Sequence, residues 1–190
     1  MNTPLTTTNK IILFFGDSLT AGYGLRATEA FPYLIQTKVN ELGLHYNCVN
    51  AGLSGETSAG GVTRIDQFLK DKVDVFVLEL GINDAFRAVP VEITKRNLQF
   101  IINKVKMRFP QVQLVLAEML VPPYFGLPYA NDFQKMFTDL AQQNKMAMIP
   151  FLLRNVAGIP SLNLPDGAHP SAKGYKLVAE NVWEILKEVI

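Results

Sequence analysis

The chain has 190 residues, 48% of them hydrophobic and 18% charged, and a formal net charge of +1. That length accommodates one domain whose core needs neither disulfides nor metals, and the composition excludes a disordered chain. With no basic or acidic block, neither nucleic acid nor an anionic membrane surface is implied as a partner.

Cys48 is the single cysteine and has no partner for an internal disulfide. No apolar run approaches the roughly 18 residues of a membrane span. Residues 1–10 are polar and read as an N-terminal extension of one domain over 1–190. They lack the charged-then-apolar pattern of a signal peptide. As written, the chain is expected in the cytoplasm, or in the periplasm or outside the cell if a leader has been removed. Oligomeric state is not legible.

Taken in chain order, strand-like apolar runs occupy 11–15, 46–49, 73–80, 112–117 and 146–151. Most are continuous rather than alternating, as in a parallel sheet covered on both faces. Helical patterns lie between them at 30–42, 60–70, 91–109 and 132–144, and a last one runs over 172–190. There Tyr175, Val178, Val182, Ile185, Leu186 and Val189 recur at helical spacing. The alternation predicts a doubly wound α/β domain with right-handed crossovers. Such sheets place their sites beyond the carboxyl ends of the strands, at the topological switch point.

Three segments fall there. Gly16-Asp17-Ser18-Leu19 follows the first strand, Gly81-Ile82-Asn83-Asp84 follows the third, and Asp166-Gly167-Ala168-His169-Pro170 precedes the last helix. Gly52, in Asn50-Ala51-Gly52, follows the second strand. A serine hydroxyl needs a neighbouring base at neutral pH, and histidine is the usual one. Of the two histidines, His169 has Asp166 three residues before it, placed to hold the imidazole in one tautomer. His45 has no acid close in sequence and reads as structural. Pro170 is expected to start the last helix. Gly52 can bring a backbone N–H close to a substrate and Asn83 offers a side-chain donor, so both are oxyanion candidates. Each residue also has a plainer reading: Ser18 as a helix cap, Asp166 and His169 as a turn, Gly52 and Asn83 as turn residues, Asp84 as a cap. Ser18 does not sit in a G-x-S-x-G elbow.

Together these motifs resemble those of the SGNH, or GDSL, hydrolase family. Gly16-Asp17-Ser18-Leu19 matches its nucleophile motif, Asn50-Ala51-Gly52 its glycine motif, Gly81-Ile82-Asn83-Asp84 its G-x-N-D and Asp166-Gly167-Ala168-His169 its D-x-x-H. The likeness runs in order from Ile11 onward. Thr20-Ala21-Gly22-Tyr23-Gly24 and Leu53-Ser54-Gly55-Glu56-Thr57-Ser58 look most like the bacterial thioesterase, lysophospholipase and arylesterase group. Ile82 departs from it, since many members carry a second glycine there.

The resemblance implies a three-layer α/β/α sandwich on a five-stranded flavodoxin-like parallel sheet, ester or thioester hydrolysis, and no cofactor or metal. It implies Ser18 as nucleophile, His169 as base, Asp166 as its orienting acid, and an oxyanion hole from the Ser18 and Gly52 N–H groups and the Asn83 side chain. The segment 121–129 is apolar and aromatic, so Tyr124, Phe125, Leu127 and Tyr129 are candidates for an acyl or aryl wall that Leu53 and Phe86 extend. Packing over the sheet end is the plainer reading. Arg87 is a candidate contact for an anionic head group or a solvated side chain. The expected substrates are short to medium acyl or aryl esters, thioesters and lysophospholipids. A carbohydrate or O-acetyl esterase is the alternative. A flavodoxin-like nucleotide- or flavin-binding module is disfavoured, because Asp17 stands where a phosphate would sit.

Overall fold

The computed structural model describes residues 9–190; residues 1–8 of the N-terminal extension lie outside the described residues. Five strands, β1 (Lys10–Gly16), β2 (Tyr46–Gly52), β3 (Val75–Glu79), β4 (Gln113–Ala117) and β5 (Ala147–Ile149), pair in parallel in the order β2-β1-β3-β4-β5. The helices are α1 (Ser18–Ala21), α2 (Phe31–Glu41), α3 (Ser58–Arg64), α4 (Ile82–Phe86), α5 (Val91–Arg108), α6 (Leu127–Asn144) and α7 (Ala172–Leu186). α2 packs with α7 in one layer, and α3, α5 and α6 pack together in the other. This is the expected three-layer α/β/α sandwich.

The continuous apolar runs are explained by burial on both faces. In β1, Ile12, Leu13, Phe14 and Phe15 are all buried. Alternation sends Phe14 edge-on to Phe31 of α2 at 5.4 Å and Phe15 to Phe68 on the opposite face at 5.8 Å. Such aromatic pairs add about 0.5–1.5 kcal/mol each beyond the area they bury. β2 is an edge strand and is only partly covered: Tyr46 and Ala51 are buried, while Asn47, Val49 and Asn50 are exposed.

Several boundaries differ from the sequence expectation, each for a local reason. β3 stops at Glu79 because Gly81, with φ +125°, turns the chain out of the sheet. β5 is confined to Ala147–Ile149, since Pro150 has no N–H and Phe151 has φ +37°. The helix expected at 60–70 is α3, capped by Thr57 through its side chain, followed by a separate 3₁₀ turn over Ile65–Phe68. α6 begins five residues early, at Leu127: Gly126 takes φ +82°, and Pro128 sits in the first turn, where its missing N–H costs nothing. Pro170 does not start α7. It pairs with Asn163 in an isolated bridge, and Ser171 caps the helix by accepting from Gly174 N–H at 3.3 Å. α7 ends at Leu186, four residues short of the periodic pattern.

Ser18, Gly52 and Asn83 all lie at the carboxyl end of the sheet, around β1 and β3, where the strand order switches from one side of β1 to the other. Among the described residues, no helix is long and apolar enough to cross a membrane.

Candidate active site

Ser18 is the first residue of α1, and it is not the cap. Asp17 is: its Oδ1 accepts from the Leu19 N–H at 3.0 Å. A cap of this kind is worth about 1 kcal/mol, and here it leaves the Ser18 hydroxyl free. The Ser18 backbone N–H finds no acceptor among the described residues. Gly16 is required before this turn, because a Cβ there would lie 2.1 Å from the Thr20 Oγ.

The freed hydroxyl meets His169 across the chain, with His169 Nε2 2.9 Å from Ser18 Oγ. Asp166 Oδ2 lies 2.8 Å from His169 Nδ1. A carboxylate on Nδ1 holds the ring proton there and leaves the Nε2 lone pair to accept from the hydroxyl. The other Asp166 oxygen, Oδ1, accepts from the backbone N–H of His169 at 3.0 Å and of Ala168 at 2.9 Å. These amides, with the His169 ring, hold the Asp166 carboxyl at about 2, so it is charged throughout the neutral range. Tyr23 packs its ring on the imidazole, 4.5 Å between centroids.

The two other oxyanion candidates adjoin the serine. Gly52 touches α1 so closely that a Cβ would lie 2.2 Å from the Ala21 nitrogen. Its N–H is held by Asn50 Oδ1 at 2.9 Å. Asn83 Nδ2 donates to Asp17 Oδ2 at 3.0 Å and to the Glu56 carbonyl at 3.1 Å. Two acceptors on one nitrogen define the amide orientation, since the flipped form would aim its oxygen at both. Both donors must therefore pass a hydrogen from a protein acceptor to any bound oxyanion.

Asp84 is no cap of the following segment. It is buried within α4, and its carboxylate accepts from Ser58 through N–H at 2.7 Å and Oγ at 2.5 Å. Asn97 donates to the same Ser58 hydroxyl at 3.0 Å. α3, α4 and α5 are thus tied behind Asn83. Glu56 pairs with Arg64, which lies over Phe15. Arg87 donates to the Gly55 carbonyl at 2.9 Å and so pins the turn after β2. His45 is placed where its carbonyl receives the Lys10 N–H, at the opposite end of the sheet from Ser18.

Of the apolar candidates, Phe86 and Phe125 meet edge-on at 5.7 Å, and Phe125 stacks on Tyr124 at 5.1 Å and on Tyr129 at 5.6 Å. Leu127 and Tyr129 belong to α6 rather than to a loop. Phe125 is half-buried, whereas Leu53 is 50%, Phe86 53%, Tyr124 77% and Leu127 78% exposed. The half-buried Phe125 is the centre of this cluster.

Sequence reasoning missed Glu79, Asn50 and Tyr23, and read Asp17 only as an obstacle to phosphate. Glu79 did leave a signal, being an acid set between leucines inside the apolar run 73–80, whose other acid, Asp74, stands at the run's start. It is buried, and its Oε2 accepts from Thr20 Oγ at 2.8 Å and from the Asp17 N–H at 3.2 Å. Burial pushes Asp17 up to about 6; burial, and then the charge of Asp17, push Glu79 well above the carboxylate range. Among the described residues, no group of three His, Cys, Asp or Glu side chains is arranged to hold a metal ion.

The profile of the GDSL-like lipase/acylhydrolase family matches residues 14–177. The chain is 33% identical over 180 residues to esterase TesA of Pseudomonas aeruginosa, covering 94% of this chain and 89% of that one. It is 31% identical over 180 residues to the Escherichia coli K12 protein named thioesterase 1/protease 1/lysophospholipase L1, covering 94% of this chain and 84% of the relative. Among solved structures, the psychrotrophic esterase EstA from Pseudoalteromonas sp., inhibited by monoethylphosphonate, superposes with a TM-score of 0.89 at 30% identity, over 95% of this chain and 98% of that one.

Proposed function

We propose that this chain, which belongs to the GDSL-like lipase/acylhydrolase family and is an ester hydrolase, works through an acyl-enzyme on Ser18. The observation that carries the reading is the hydrogen-bonded line Ser18–His169–Asp166, with spacings of 2.9 and 2.8 Å. Ser18 Oγ attacks the acyl carbonyl carbon while its proton passes to His169 Nε2. Asp166 keeps Nδ1 protonated and balances the imidazolium. The oxygen that becomes negative is received by the Ser18 N–H, which has no acceptor among the described residues, by Gly52 N–H and by Asn83 Nδ2. When the carbonyl re-forms, the bond to the leaving alkoxide or thiolate breaks and His169 returns the proton to that group. Water, deprotonated by His169, then attacks the acyl carbon; the bond from that carbon to Ser18 Oγ breaks, His169 returns the proton to Oγ, and the carboxylic acid leaves.

The substrates are small carboxylic esters and thioesters of short to medium acyl or aryl groups, lysophospholipids included. Support comes from the aromatic cluster of Phe86, Phe125 and Tyr124 on the oxyanion side of the site. Leu53 and Leu127, both exposed, are proposed to extend it.

The decisive experiment combines a phosphonate and a variant. A serine-directed organophosphonate should label Ser18 and no other serine. Ser18→Ala should fold normally and lose turnover by on the order of a millionfold. A variant that keeps more than a few per cent of the activity, or a label on another serine, would remove Ser18 from this role.

A further inference from the structure

Two carboxyls that the acyl-transfer steps do not use are buried directly beneath the nucleophile. The Asp17 backbone N–H donates to Glu79 Oε2 at 3.2 Å, and both carboxyls are sealed from solvent. Their other partners are unequal. Asp17 receives an N–H on each oxygen, from Leu19 at 3.0 Å and from Asn83 Nδ2 at 3.0 Å. Glu79 receives both of its donors on Oε2, and its Oε1 has none. Among the described residues, no lysine or arginine pairs with either acid. Donors on both oxygens favour the charged form, while a buried oxygen without a donor favours the neutral one. The proton of the pair therefore stays on Glu79, and Asp17 carries the single negative charge.

We propose that Glu79, as a neutral acid, is a positioning residue of the oxyanion hole: it holds Asp17, and Asp17 holds both the Ser18 turn and the Asn83 amide. The connections run through named atoms. Glu79 Oε2 takes the Asp17 N–H and the Thr20 hydroxyl, so it grips α1 on either side of Ser18. The Asp17 carboxylate then bridges the Leu19 N–H of α1 to the Asn83 side chain of α4. This sets the distance between the Ser18 N–H and the Asn83 amide, the two donors that must converge on one oxygen. Removing the Glu79 proton would place a second negative charge beside the oxygen that becomes negative during attack, and turnover would fall.

Other groups face the pair. Tyr175 donates its phenol to the Leu19 carbonyl at 2.8 Å, and His169 bears on Asp17 electrostatically. Arg64 reaches the Gly16 carbonyl at 3.5 Å but is committed to Glu56. Any alkaline loss of activity must therefore be separated from Tyr175, which a Tyr175→Phe variant does.

The inference rests on the acyl-enzyme reading, and phosphonate labelling of Ser18 tests that reading separately. The measurement is kcat and KM on a p-nitrophenyl butyrate from about pH 5 to 10, with Tm over the same range. In wild type and in Tyr175→Phe, kcat should decline along an alkaline limb. In Glu79→Met, kcat at pH 7 should fall roughly tenfold or more while KM stays within about threefold, the pattern of a lost transition-state contact. Glu79→Gln, which keeps a donor and an acceptor without a titrating group, should recover most of that kcat and lack the limb. Stability should follow the same sign. A carboxyl whose pKa is raised by folding contributes fully below its unfolded value, and that contribution is lost as pH rises toward its folded value. Tm should therefore fall as pH rises from about 5 in wild type and less so in Glu79→Gln. If Ser18 is labelled and Glu79→Met keeps wild-type kcat, or Glu79→Gln keeps the limb, or Glu79→Gln is as impaired as Glu79→Met, the proposal is overturned. Should Glu79→Met not fold, the Glu79→Gln profile alone decides.

Discussion

The imidazole of His169 stands between two groups of opposite duty, its Nε2 2.9 Å from the Ser18 hydroxyl and its Nδ1 2.8 Å from Asp166. In the proposed mechanism its productive form is the neutral ring with the proton on Nδ1.

Asp166, held at about 2 by backbone amides, is charged throughout the working range. Asp166→Asn should lower turnover by about 10⁴-fold with the fold retained, because a neutral amide no longer enforces the tautomer. The same shift has a stability consequence. Its folded value lies below its unfolded value of about 3.9, so its contribution is present above pH 4 and lost as pH falls toward 2. Thermal melts of wild type and Asp166→Asn should therefore converge on acidification over that window. A variant with near-normal turnover would make Asp166 and His169 a structural turn.

Asn83→Ala should reduce kcat roughly 10²–10³-fold with little change in KM. The Asn83 amide already has two acceptors, Asp17 and the Glu56 carbonyl, so in the proposed mechanism it would turn to the substrate only as the oxyanion develops. Steady-state kinetics on a single ester would check it, and a raised KM at unchanged kcat would mean ground-state binding instead.

Gly52→Ala tests the packing of α1 against β2. The added methyl would stand 2.2 Å from the Ala21 nitrogen, a backbone atom that cannot swing aside. Overpacking of this kind costs about 1–3 kcal/mol, and here it pushes Ser18 away from His169. A lower Tm together with weak phosphonate labelling is expected; a variant equal to wild type in both would mean that α1 has room to move.

Chain-length kinetics test the aromatic cluster. If Phe125 and its neighbours form an acyl wall, kcat/KM should climb from acetyl through butyryl and hexanoyl esters, by up to about fourfold per methylene. Phe125→Ala should flatten that slope and spare acetyl-ester turnover. A steady fall from acetyl upward would favour the O-acetyl esterase alternative and leave Phe125 to packing.

Much of this protein is legible in its sequence. Five apolar runs separated by helical patterns imply a parallel sheet with two covered faces, because burial on both sides leaves no polar alternation. The motifs around Ser18, Gly52, Asn83 and His169 are local too, since each needs only a few residues at the end of an element. Element ends were less legible: Pro128 reads as a loop residue until Gly126 is seen to turn the chain into α6. What only the tertiary structure decided are the relations across distance. Ser18 and His169 are 151 residues apart, and Asp17 and Glu79 are 62 apart. That Asp17 rather than Ser18 caps α1, that Asp84 holds Ser58, and that a lone acid in a buried strand lies beside a second one, all depend on which groups the fold brings together. Periodicity reports burial, but whether a buried carboxyl keeps its proton is set by the donors and charges that surround it, and those come from elsewhere in the chain.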